Sequence, residues 1–163
     1  QKKLTVEEGE VVCVVDFQER LQVQEQDEVQ SQHWDREATT IFPCPIFFNL
    51  SFQILSDDMA QDNAWVQYVM TKLLTEDIPA LLRKVGAKPM THVTIWTDNC
   101  AKQFKCRYHF GWVAGAMIQG LDAIGNPTGV LVHIEHHYFG SCHGKNLSDA
   151  EGGMTKEFVR RMV

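Results

Sequence analysis

The chain has 163 residues, 44% hydrophobic and 22% charged, which is one domain's worth of sequence with a core of ordinary size. The formal net charge of −6 argues against a strong non-specific nucleic-acid binder, and no apolar run approaches the ~18–20 residues needed to span a bilayer. The five cysteines (Cys13, Cys44, Cys100, Cys106 and Cys142) are odd in number and contain no CxxC pair, which speaks against a disulfide scaffold and for a reduced, intracellular setting. The opening QKKLTVEEGEVV lacks a signal-peptide core, and the chain starts without Met and stops inside an apparent helix. It therefore reads as a single domain over 1–163, a piece of a longer chain.

In chain order, EVVCVVDFQERLQV (10–23) is rich in Val and reads as a strand whose apolar run stops at Asp16. The β-branched and aromatic stretch 35–58 contains Pro43 and Pro45, and reads as two strands with a bend or edge between them. Three strands in such close succession favour an antiparallel meander. From Asn63 the period becomes helical: Trp65, Val66, Val69, Met70, Leu73 and Leu74 fall on one face, with Asp62 as N-cap. Asp77 followed by Pro79 restarts a second helix, IPALLRKV, that ends at Gly86. THVTIWTDN (91–99) is a buried strand stopping at Asp98, 102–121 is mostly helical, and DAIGNPTG (122–129) is a turn or loop. VLVHIEHHYFG (130–140) is a further strand, and the tail from about Asp149 is a helix. The fold class is α/β: a five-stranded mixed sheet, three antiparallel strands then alternating helices and strands, flanked by helices.

Three carboxylates fall at strand ends or a helix start, where α/β sheets gather their sites: Asp16, Asp98 and Asp149. Such a cluster is costly unless cations neutralise it. Mg²⁺ takes oxygen ligands and keeps several waters, so a few carboxylates suffice, and two ions ~3.5–4 Å apart can drive phosphodiester chemistry.

The order βββαβα, with WTDNCAKQFKCRYHF and HHYFGSCHGKNLSDAEGGMTK, resembles the catalytic domain of DDE-type transposases and transposon-derived proteins, which have a ribonuclease H-like fold. The likeness spans roughly 11–161; its second and third blocks are fairly specific, whereas VVDFQE is weak by itself. The resemblance implies that Asp16, Asp98 and Asp149 are catalytic metal ligands for two Mg²⁺ or Mn²⁺ ions, with Glu151 as the alternative third ligand. Ala150 stands where the family pattern has Gly. The implied activity is metal-dependent cleavage and strand transfer on DNA. It also implies a nuclear location, a DNA-binding domain outside these residues, and allows a homo-oligomer; no membrane is involved. The alternatives are an inactive, domesticated domain that binds nucleic acid or protein, and another ribonuclease H-like nuclease.

Lys102, Lys105, His143 and Lys145 flank these acids and are candidates for phosphate contact, against the reading as solvated cations. His136, His137, Cys142 and His143 raise the question of zinc, but Cys142 and His143 are adjacent and the paired spacings of a zinc site are missing. Trp65, Trp96, Phe104, Phe110 and Trp112 read as core in preference to base-stacking residues, and Cys100 and Cys106 as small buried hydrophobes.

Overall fold

The computed structural model describes residues 9–17, 21–22, 38–46, 50–56, 60–115, 119–121, 127–139 and 147–162. The Val-rich run forms β1 (Glu10–Val14), entered through Gly9, whose φ of +89° and close approach to Thr91 suit a residue without Cβ. The strand expected over 10–23 ends at Val14, and Leu21–Gln22 form a separate short β2. β3 (Ala38–Ile46) and β4 (Leu50–Ser56) follow, then α1 (Asn63–Lys72), a π-helical turn (Leu73–Asp77) and α2 (Ile78–Lys84). β5 (His92–Thr97), α3 (Arg107–Gly115), β6 (Gln119–Leu121), β7 (Pro127–Leu131), β8 (His133–Tyr138) and α4 (Leu147–Met162) complete the order.

Further elements depart from the sequence expectation. Of the helix expected over 102–121, the described residues show α3, with β6 following from Gln119, and 116–118 lie outside them. Of the turn expected over 122–129, residues 122–126 lie outside the described ones, and Pro127 begins β7, which pairs with β6 in a two-stranded sheet of its own. The 130–140 strand is thus two strands in two sheets. The tail helix begins at Leu147, two residues ahead of Asp149.

The main sheet is mixed. β4 and β3 are antiparallel from Thr40↔Ser56 to Ile46↔Leu50, and β3 meets β1 antiparallel at Cys13↔Ile46. β1 runs parallel to β5, and β5 parallel to β8. The five strands therefore lie in the order β4-β3-β1-β5-β8, with β2 added against Ala38 and Thr39 of β3. Pro43 and Pro45 lie inside β3 instead of bending it. They share parity, and the ladder to β4 is unbroken, so their missing donors fit the edge facing β1, where pairing is confined among the described residues to one position.

β1 is buried on both faces, as its uninterrupted apolar run requires. One face carries Val11, Cys13 and Val15 against Phe42, Cys44, Val93 and Ile95, and is packed by Trp65, Val66, Val69, Met70, Leu73 and Leu74. That is the full set of helical positions marked by the sequence period. Cys13 and Cys44 are unoxidised, and the bond from Cys13, with burial, pushes the Cys44 thiol up. α4 packs along β3 and β4.

The helices end as their residues direct. Asp62 Oδ1 caps α1 by accepting from Trp65 N at 3.1 Å. Pro79 cannot follow an unbroken α-helix, since it lacks an N–H and its ring would strike the carbonyl four residues back. The π turn just before it absorbs the misfit, with Ile78 N–H reaching back to Leu73 O. α2 closes in a Schellman motif: Gly86, at φ +70°, bonds to Arg83 O, and Ala87 N to Leu82 O. Among the described residues, no helix is long and apolar enough to cross a membrane.

Candidate functional site

The parallel register between β1 and β5 pairs Val14 with Trp96, and Val15 N still donates to Trp96 O at 2.9 Å. Two residues further on stand Asp16 and Asp98. The fold thus brings these acids, far apart in sequence, to matching positions just past the carboxyl ends of neighbouring parallel strands. By parity both belong to the face opposite the core-packed one, the alternation holding at Phe17, which packs on the core.

Both carboxylates are half-buried and locally oriented. Asp16 Oδ1 accepts from Phe17 N at 2.8 Å, and Asp98 Oδ1 from Cys100 N at 2.9 Å, so Asp98 forms an Asx turn at the strand end. The segment after Asp98 is anchored at several points. Asn99 Nδ2 donates to Phe139 O at 2.6 Å, Tyr138 Oη to Phe104 O at 3.0 Å, and Asn63 Nδ2 to Gln103 O at 2.8 Å. Lys102 Nζ donates to Ala60 O at 3.3 Å, and Lys105 Nζ lies 5.6 Å from the Tyr138 ring centroid. Both lysines are exposed and are engaged in holding this loop.

Asp149 and Glu151 lie at the start of α4, but their side chains fall outside the described ones, as do His143 and Lys145 with the whole of 140–146. Among the described residues, no group of three or more His, Cys, Asp and Glu is gathered to hold a metal. Cys142 also lies outside the described residues. Of the aromatic residues, Trp65 and Phe104 are core, Phe110 is exposed, and Trp96 is half-buried and stacked with His137 (centroids 4.8 Å apart) and Phe139 (5.5 Å). Cys100 and Cys106 are partly buried.

Beneath Asp98 is a feature that sequence reasoning passed over. Thr97, fully buried, donates from Oγ1 to Asp98 O at 3.0 Å and lies 2.8 Å from His136 Nε2. His136 Nδ1 is 3.0 Å from His109 Nε2, and His109 is 1% exposed. Burial pushes His109 down to about 4; burial, reinforced by His109 and then His137, does the same for His136. His136 sits at the parity of the core-facing Ile134 and Tyr138, so strand alternation was the signal that could have marked it as inward-pointing.

A mixed sheet flanked by helices, with two oriented aspartates at adjacent parallel strand ends, defines an α/β protein whose candidate site lies where open sheets take their ligands. The chain belongs to a family described only as a domain of unknown function, DUF8701, whose model matches residues 1–163. No curated protein matches it.

Proposed function

We propose that this chain is the catalytic core of a DDE transposase-like protein with a ribonuclease H-like fold, cleaving and joining DNA phosphodiesters with divalent metal. The observation that carries this reading is the β1–β5 register, which sets Asp16 beside Asp98. Two further features support it. Three antiparallel strands, β1, β3 and β4, are followed by two that run parallel to the first, the element order the resemblance implies. α4, which bears Asp149 and Glu151, packs on β3, the neighbour of β1.

The donor set fits Mg²⁺ or Mn²⁺. Carboxylate oxygens on two adjacent strands suit a hard cation that retains waters, and Asp98 spends only Oδ1 on the backbone. Asp16 and Asp98 would hold the metal from the sheet, and Asp149, or Glu151, from α4. When bound, such a pair of ions supplies activation of the attacking water or 3′-hydroxyl and stabilisation of the departing oxygen. The Asx turn and the Asn99–Phe139 bond keep the Asp98 carboxylate from swinging, so little ordering remains for ligand entry. DNA as substrate comes from the resemblance.

Thermal unfolding with and without millimolar Mn²⁺ tests the reading. Metal at about a hundredfold over its Kd stabilises the native state by about 2.7 kcal/mol, a rise of about 5–10 °C for a chain of this size. Asp98→Asn keeps an oxygen for Cys100 N–H but loses the charge, and abolishes the rise. A parent midpoint that does not move overturns the reading of these acids as a preformed metal site.

A further inference from the structure

The Thr97–His136–His109 chain has a direction favoured by the atom it leaves unpaired at its far end. With the one Thr97 hydroxyl proton given to Asp98 O at 3.0 Å, its oxygen accepts at 2.8 Å from His136 Nε2–H. His136 is then the Nε2–H tautomer. Its Nδ1 is an acceptor, filled by His109 Nε2–H at 3.0 Å. His109 Nδ1 remains as a buried lone pair with no partner among the described residues. This orientation leaves a lone pair, not an N–H, as the orphan, the less costly choice. The rings are also packed: His136 lies 4.7 Å from His109 and 4.5 Å from Tyr138 between ring centroids, and His109 lies 5.5 Å from Trp112.

The chain ends on the peptide carbonyl of Asp98 itself. Fixing that carbonyl fixes the backbone torsion next to the Asp98 Cα, while the Cys100 N–H holds the carboxylate from the other side. Neighbouring bonds from Asn99 to Phe139 O and from Val15 to Trp96 O pin the same strand end. Among the described residues the two rings, His109 on α3 and His136 on β8, make no other hydrogen bond that would account for burying two titratable groups between these elements.

We infer that His136 is a positioning residue for Asp98, acting through the Thr97 hydroxyl, with His109 holding the His136 ring in register. The role rests on the reading of Asp98 as a metal ligand. It is a buried, fully directed support of the kind that orients ligands from behind, whose loss typically weakens metal affinity by about 10–100-fold.

The test is a Mn²⁺ titration read by thermal shift on the parent, Thr97→Val, Thr97→Ser, His136→Phe and His136→Gln. Thr97→Val keeps the shape of the side chain and removes the hydroxyl. Its apparent Mn²⁺ affinity drops roughly tenfold or more, Thr97→Ser restores it to within about twofold, and His136→Phe falls with Thr97→Val. His136→Gln, which can still offer a donor near the old Nε2, recovers part of the loss. Rescue by Ser and Gln separates positioning from general destabilisation, because the metal-free midpoint is measured for each variant alongside. Should Thr97→Val not fold, the comparison of His136→Phe with His136→Gln carries the same test. If Thr97→Val and His136→Phe lower the metal-free midpoint yet bind Mn²⁺ as the parent does, the role given to His136 is overturned while the metal reading stands. A parent with no Mn²⁺ shift removes both.

Discussion

At the scale of single residues, His109 and His136 make the fold sensitive to acid. Their folded values of about 4 lie below the ~6.5 of an unfolded histidine. Between those limits the unfolded chain binds more protons than the native one, so stability is complete above pH ~6.5 and is lost as pH falls toward ~4. For His109 alone the loss is roughly 3 kcal/mol, from about 1.4 kcal/mol per pH unit. Urea unfolding at pH 7, 5.5 and 4.5 should show this decline, and His109→Phe should flatten it; an equal slope in the variant would assign the acid sensitivity elsewhere. The same two residues mark the limit of what the sequence discloses about the site. Asp16 and Asp98 are legible because each ends an apolar run, and an acid at that place is conspicuous. The histidine pair is not, because its members lie 27 residues apart and meet only when α3 packs on β8. His136 in sequence is one of several histidines near a cysteine and invites a metal reading, whereas its ring nitrogens are both taken by Thr97 and His109.

At the scale of elements, α1 is the clearest case of sequence directing structure. Its cap and its buried stripe are both read directly, because a 3.6-residue period over ten positions has no strand counterpart. Asp62→Ala removes the acceptor for Trp65 N and should cost about 1 kcal/mol, measured as a shift of the urea midpoint at unchanged slope. Asp62→Asn, which keeps an acceptor, should cost little. The stretch around β7 and β8 is illegible for a physical reason. Residues 130–138 read as one uninterrupted run of strand-forming sequence, and the alternation over 133–138 tells which face a residue occupies but not which partner the strand finds. β7 pairs with β6 and β8 with β5, so the change of sheet at Val132 leaves no local trace. α3 was expected to be longer because the apolar residues continue past Gly115; the chain instead turns into β6 at Gln119.

At the scale of the molecule, the sheet is stitched from pairings of very different reach. β3 and β4 are joined through three intervening residues, whereas β1 meets β5 through contacts 82 residues apart, as between Gly9 and Thr91. Closing a long loop costs entropy that grows with its length, and distant pairings tend to form late. The β3–β4 hairpin and α1 can therefore gain structure while β1 still lacks its parallel neighbour. Pulse-labelled hydrogen exchange during refolding should find β3–β4 amides protected before those of β1 and β5; simultaneous protection would show that the sheet condenses as a unit. Because Asp16 and Asp98 stand beyond the last rungs of that distant pairing, the two like charges are kept apart through most of assembly. On a ribosome, the emerging chain would carry no acidic pair until β5 had cleared the exit and zipped onto β1. The feature that defines the candidate site is thus also a clock: the two acids cannot come together before the scaffold that restrains them.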